Sequence, residues 1–276
     1  MNLRVRNMGA DELAGVLDWA ASEGWNPGHD DAAPFHATDP EGFFLAEVAG
    51  QPVAAISVVN HGADCAFLGL YLCLPDYRGQ GIAYALWQHA LTHAGARVVG
   101  LDGVPDQQEN YRKSGFVLTG QTYRFSGTIA GQTDPALRAV RPGDIAMLTD
   151  LEARANGYAK PAFMAAWCLD IDTRHTLVLD RDGVAGFVTL RACRAGFKIG
   201  PLVAGSMEDG EILIRAAAAR AEGQIMMIDV PDDCAPLMAW CEGQGLSVSF
   251  NTARMYRGTP PQGGTQIRAI ATMELG

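Results

Sequence analysis

This 276-residue chain reads as if it begins twice. Leu3-Arg4-Val5-Arg6 leads to Asp11 and an apolar-periodic segment, while Leu137-Arg138-Ala139-Val140-Arg141-Pro142-Gly143-Asp144 leads to Met147, Leu148 and Leu151. Each reads as a strand, an aspartate at a helix N-terminus, and a helix. The halves also end alike. Tyr111-Arg112-Lys113-Ser114-Gly115-Phe116 is followed by Thr122-Tyr123-Arg124-Phe125, and Cys241-Glu242-Gly243-Gln244-Gly245-Leu246 is followed at the same spacing by Thr252-Ala253-Arg254-Met255. Short strings agree by chance, but agreement at both ends of both halves favours a duplicated unit. The polar, Gly/Pro-bearing stretch from Ser126 to Pro135 separates them, which gives domains over residues 1–130 and 137–276.

A chain of this length can bury a proper core in each half. In the first half, apolar runs predict strands at Phe43–Val48, Val53–Asn60, Cys65–Leu74 and Val98–Asp102, with a helix from Gly81 to about Ala94. Both halves therefore read as α/β.

The most informative junction lies between the third strand and that helix. The apolar run Ala66 to Leu74 is halted by Pro75-Asp76, after which Arg78-Gly79-Gln80-Gly81 opens directly into Ile82-Ala83-Tyr84-Ala85-Leu86-Trp87. Strand, glycine loop and helix N-terminus in that order suit a pyrophosphate. The glycines let the backbone approach the ligand, free N–H groups donate to it, and the helix dipole favours its charge. Arg78 adds a cation. A glycine pair before a helix is also what a plain tight turn looks like.

Leu74-Pro75-Asp76-Tyr77-Arg78-Gly79-Gln80-Gly81-Ile82-Ala83, with Tyr111-Arg112-Lys113-Ser114-Gly115-Phe116 some thirty residues on, closely resembles the two signature segments of the GNAT (Gcn5-related) N-acetyltransferase superfamily. The resemblance implies a layered α/β fold, here two tandem GNAT-like domains, each a mixed and mostly antiparallel sheet flanked by helices. It implies acetyl-CoA as cosubstrate. Carried over, pantetheine contacts fall on Tyr71, Leu72 and Cys73 beside a strand bulge, and pyrophosphate contacts on Arg78, Gly79, Gln80, Gly81, Ile82, Ala83 and Tyr84. Residues 71–73 are equally readable as plain core. Tyr111 matches the family's general acid, and a phenol suits a thiolate leaving group. The asparagine common in the family several residues before that tyrosine is replaced by Val104, with Asn110 adjacent to Tyr111 instead.

For the general base, Asp102 and Glu23 are the candidates, each also readable as a surface carboxylate or helix cap, and His29, His36 and His61 stay open. Trp25-Asn26-Pro27-Gly28 stands where GNAT proteins place the loop over the acceptor, so Trp25 and Asn26 are candidate acceptor contacts; a turn with one packed tryptophan is the alternative.

In the second half, Lys198 to Ala204 is followed by Gly205-Ser206-Met207-Glu208-Asp209-Gly210-Glu211. Three carboxylates there would repel a pyrophosphate, so this half reads as a degenerate GNAT-like domain that binds no CoA. Its expected role is to close the acceptor side of the cleft with Tyr158 and Trp167, although Phe163, Met164 and Trp167 also have the spacing of a buried helix stripe. A fragment ending near Gly131 is then expected, provided it stays folded, to bind CoA and transfer slowly.

The net charge of −10 argues against nucleic acid or an anionic membrane as partner. The six cysteines show no metal-ligand spacing and suit a reducing compartment. With no apolar signal core, a cytoplasmic monomer or homodimer without metal is expected. The reading is an acetyl-CoA-dependent N-acetyltransferase acting on a small or amino-acid-like amine; the alternative is a non-catalytic acyl-CoA sensor.

Overall fold

The computed structural model describes residues 2–276. The first half supplies strands β1 (Leu3–Asn7), β2 (Phe43–Val48), β3 (Gln51–Asn60), β4 (Cys65–Cys73), β5 (Val98–Gly103) and β6 (Val117–Gly127). The second supplies β7 (Leu137–Ala139), β8 (Arg174–Asp180), β9 (Val184–Ala192), β10 (Phe197–Ala204), β11 (Met226–Pro231), β12 (Ser247–Arg257) and the additional β13 (Ile267–Ala269). Helices α1 (Ala10–Ser22), α2 (Ala32–Thr38), α3 (Ile82–Leu91) and α4 (Gln108–Lys113) belong to the first half. Helices α5 (Ile145–Asn156), α6 (Pro161–Trp167), α7 (Met207–Arg220) and α8 (Ala235–Gly243) belong to the second.

The apolar runs are continuous rather than alternating because both faces of the sheet are covered. Along β2, Phe43 and Leu45 enter a core shared with α1, α2, α5 and α6, while Phe44 and Ala46 enter one beneath α3. In α1 the stripe Leu13, Val16, Leu17 and Ala20 is buried, as its helical spacing predicts. The shared core takes Phe35 from α2 and Phe163, Met164 and Trp167 from α6, so the halves are fused by hydrophobic packing.

The duplication extends to individual ion pairs. Arg6 holds Glu12 at 2.7 Å and Glu47 at 2.7 Å, and Glu12 accepts from the Gly9 amide. Arg138 likewise holds Asp144 at 2.6 Å and Asp180 at 2.8 Å, and Asp144 accepts from the Arg141 amide. In both cases one carboxylate ties the first strand to the start of the following helix.

All strands join one sheet in the order β1-β2-β3-β4-β5-β12-β6-β11-β10-β9-β8-β7, with β13 beside β10. The order is a palindrome under exchange of the halves, which makes them related by an approximate two-fold through the β12–β6 pair. Near that axis Thr122 pairs with Thr252. Only β4–β5 and β10–β11 run parallel; the other ladders are antiparallel.

The boundary near residue 130 is therefore one of sequence and not of the sheet. The last strand of each half lies against the other half: β12 pairs with β5, and β6 pairs with β11. Two reciprocal buried ion pairs fasten the exchange, Arg254 of β12 with Asp102 of β5 at 2.7 Å and Arg124 of β6 with Asp229 of β11 at 2.7 Å. A fragment ending near Gly131 would lack β12, which strips β5 of a neighbour and leaves the Asp102 carboxylate unpaired in the interior, so its folding is the first quantity to measure.

Candidate active site

Strands β4 and β5 pair only from Cys65↔Val98 to Leu68↔Leu101, then separate. The register of β3 against β4 shifts between Ala55 and Ser57, which places an extra residue on β4, and Leu70 sits there at φ 48°. This bulge turns the end of β4 away from β5 and opens a cleft whose wall includes Tyr71, Leu72 and Cys73. The cleft is about 770 Å³, and its mouth is formed by Arg78, Gly79, Gly81, Ala83 and Tyr84.

Gly79 and Gly81 both adopt left-handed backbone, at φ 74° and 79°, and Gly81 is the residue from which α3 starts. No protein atom lies within 4 Å of where a Cβ would stand on either. The glycines are thus required by conformation, and the space before them is open to a ligand. First-turn amides of a helix have no intrahelical acceptor, so those of α3 are available to oxyanions.

Arg78 is engaged from two sides. Its Nε donates to the Cys73 carbonyl at 2.8 Å, and its Nη2 meets Glu23 at 2.5 Å. Both side chains are about half exposed, so this is a weak, breakable latch over the mouth. Glu23 competes with any phosphate for Arg78. Glu23→Gln is expected to tighten CoA by about two- to fivefold; an unchanged or weaker dissociation constant by titration calorimetry would exclude the competition.

The inner end of the cleft narrows to a pocket of about 60 Å³. Trp25, Tyr71, Val104, Gln107 and Phe250 belong to both cavities and so mark the passage between them. Beyond it lie Tyr111, Arg124, Thr252, Met273 and Glu274. The second half contributes Phe250 and Thr252 of β12 and, after β13, Met273 and Glu274 to this lining.

Tyr111 is 6% exposed and its ring stacks on Trp87 with centroids 5.4 Å apart. Burial, reinforced by the neighbouring Tyr71 hydroxyl, pushes its phenol well above the ordinary tyrosine range, so it is held protonated. Tyr71 is pushed up to about 12, first by burial.

Several sequence expectations are corrected here. Asp102 lines the inner pocket, but its carboxylate is fully sealed and bound by Arg254 Nε at 3.0 Å and Nη2 at 2.7 Å, with the Thr122 and Thr252 hydroxyls each at 3.3 Å. Its oxygens are committed to the guanidinium and the two hydroxyls, and its role is the clasp between halves. Glu23 stands at the outer mouth with Arg78, away from the inner pocket. Asn26, at φ 52°, exchanges two hydrogen bonds with the Ala195 backbone at 2.9 and 3.0 Å and is a strut between halves. Tyr158 and Trp167 do not reach the cleft. Trp167 is fully buried, donating to the Gly200 carbonyl at 2.9 Å, and Tyr158 is enclosed beside His61 and Lys160. Of the acceptor candidates Trp25 alone lines the cavity, its carbonyl accepting from Arg124 at 3.2 Å and Lys198 at 3.0 Å.

The equivalent place in the second half is filled. There β10 pairs with β11 only from Phe197 to Ile199, and its remaining edge, Leu202 to Ala204, pairs with β13 instead. The chain's own strand occupies the slot that stands open beside Tyr71–Cys73. Glu208 and Asp209 stand in the first turn of α7, where the first half has its glycine loop.

Residues 11–116 match the acetyltransferase (GNAT) family profile, and residues 148–267 match that of an acetyltransferase (GNAT) domain. The holothin acyltransferase of Pseudoalteromonas sp. (strain SANK 73390) is 36% identical over 266 residues, covering 95% of this chain and 90% of that protein. The chain belongs to the GNAT acyltransferase superfamily. It is a tandem member, with one GNAT domain in each half, and an enzyme of a family whose acyl donors are acyl-CoA thioesters. Two solved structures share the fold. A putative acetyltransferase from Pyrococcus horikoshii superposes with a TM-score of 0.85 at 18% identity, covering 100% of this chain and 96% of its own. A tandem GNAT protein from the clavulanic acid biosynthesis pathway gives 0.65 at 16% identity, covering 95% and 100%. Among the described residues, no helix of this GNAT protein is long and apolar enough to cross a membrane.

Proposed function

We propose that this GNAT protein transfers an acetyl group from acetyl-CoA to the amine of a small, largely apolar molecule. The observation that carries this reading is the continuity of the two cavities: a wide cleft headed by a glycine loop leads past Trp25, Tyr71 and Phe250 into a narrow pocket beside Tyr111. The pyrophosphate would sit on the amides of Gly79 to Tyr84 with Arg78 swung off Glu23, and the pantetheine arm along the free edge of Tyr71, Leu72 and Cys73. The thioester then reaches the passage from one side and the acceptor nitrogen from the other. The lining of Leu68, Leu70, Leu101, Phe250 and Met273 suits an apolar acceptor and excludes water from the reacting end. The holothin acyltransferase supports an acceptor of this small size in a related protein.

Tyr111 is the proton donor in this reading. Burial keeps the phenol protonated before the reaction, so that it stands as a hydrogen-bond and proton donor where negative charge develops on the departing sulfur. The experiment is thiol release from acetyl-CoA with holothin and a panel of small amines. Turnover with at least one is expected, and CoA binding without turnover on any would favour a sensor. Tyr111→Phe is expected to lower kcat about 10²-fold or more with CoA affinity near wild type. An equal kcat removes Tyr111 from the mechanism.

A further inference from the structure

The segment after β13 runs from the second half into the first. Ile270 donates to the Asp229 carbonyl at 3.0 Å and Ala271 accepts from Arg191 Nη1 at 2.8 Å. The chain then crosses to the first half, where the Leu275 carbonyl accepts at 2.8 Å from Nε2 of His61, the residue after β3. Between these ties, the Thr272 hydroxyl accepts from the amides of Glu274 at 3.1 Å and Leu275 at 2.9 Å, which fixes a tight turn. The crossing depends on two glycines at matching positions of the duplicated sheet. A Cβ on Gly200 of β10 would meet the Ile270 carbonyl at 2.3 Å, and one on Gly69 of β4 would meet the Glu274 carbonyl at 2.1 Å. Glu274 is thus held against the bulge of β4, in the wall of the inner pocket.

Its carboxylate differs from every other near the pocket. Arg124 is committed to Asp229, Arg254 to Asp102 and Arg191 to Asp31, while Lys198 donates to the Trp25 carbonyl. Glu274 has no ion pair or side-chain hydrogen bond among the described residues, yet neither of its oxygens is sealed away from solvent. A 6%-exposed residue with an unpaired, accessible carboxylate therefore turns it toward the cavity. Arg124, Arg191 and Lys198 lie near enough to feel its charge.

We propose that Glu274 is the group that receives the acceptor's amine and takes its proton during transfer, resting on the reading that the inner pocket binds that amine. As the C–N bond forms, the nitrogen becomes acidic and passes one proton to the Glu274 carboxylate. The C–S bond breaks with its electron pair on sulfur, and the thiolate is protonated by Tyr111. Both side chains then re-equilibrate with solvent, so that amine and thioester give amide and free thiol. The second half thereby completes the active site through a carboxylate that the first half lacks.

The test uses the full chain and Glu274→Gln, with calorimetric titration of CoA, benzylamine, benzyl alcohol and holothin, alongside turnover. CoA affinity and thermal stability should match wild type. Benzylamine affinity should fall about tenfold or more while benzyl alcohol is unmoved. For any amine turned over, kcat should fall roughly 10²–10⁴-fold. Glu274→Asp should recover part of the loss. Wild type that fails to bind benzylamine, or a glutamine variant with wild-type amine affinity, overturns the proposal. Amine binding that depends on Glu274 without turnover upholds it and instead refutes the transferase reading.

Discussion

Arg254→Leu is expected to cost about 3–5 kcal/mol of stability, among the largest effects of any single side chain here. The Asp102 carboxylate beneath it has no exposed surface, and without the guanidinium it retains only two hydroxyls at 3.3 Å. Stranding a carboxylate in that setting is far more costly than losing the attraction itself, because its hydration is not restored. Asp102 is what holds the Arg254 guanidinium charged despite its burial. With about 2–4 °C of melting temperature per kcal/mol in a chain of this size, calorimetry should record a fall of roughly 6–20 °C. The pair variant Asp102→Leu/Arg254→Leu removes both charges and should recover more than half of the loss. If the single variant melts within 2 °C of wild type, or the pair variant is no better than the single, the clasp is not what fastens the exchanged strands.

That clasp also shows where sequence reading stops. The repeated words at each end were legible, and Arg6 and Arg138 make the same ion pairs at the same offsets. The predicted strand at Phe43–Val48 and the helix beginning at the glycine loop match the observed β2 and α3 because each is set by local pattern and conformation. The strand exchange was not legible, for a specific reason. In a duplicated chain, Arg124 satisfies the same local chemistry whether it meets Asp102 of its own half or Asp229 of the other. Nothing within a dozen residues distinguishes the two, and the observed partner lies 105 positions away.

Trp167 and Glu274 mark two different limits of reading from sequence. Trp167 has an aromatic face and helical spacing, which fit a pocket wall and a core equally; packing against Phe35 and Phe163 decided for the core. Glu274 stands in a short segment with no periodicity and no motif, so its sequence neighbours carry no signal. The available clue was indirect, in that Gly69 and Gly200 interrupt otherwise bulky apolar strands, and a glycine inside a strand marks a close approach by another backbone.

Gly81→Val is expected to abolish CoA binding while leaving the protein folded, and the separation of those two effects is the point of the test. Gly81 sits at φ 79°, where a branched residue is strained by roughly 1–2 kcal/mol. No protein atom would touch the new Cβ, so the fold loses little beyond that strain. The ligand side is different, because the empty volume in front of Gly81 is where a pyrophosphate must approach the amides of α3. Losing even one or two charge-assisted hydrogen bonds at about 1.5–3 kcal/mol each, together with the strain, weakens binding by roughly 10²–10⁴-fold. Titration calorimetry on wild type should give one CoA per chain, since the second half has β13 in its slot and carboxylates at its helix. The valine variant should give none at the same concentrations, with a melting temperature only a few degrees lower. Glu208→Lys, at the corresponding place in the second half, should leave the stoichiometry at one. A count near two for wild type would show that the filled slot opens, and retained binding by Gly81→Val would move the phosphate site away from the glycine loop.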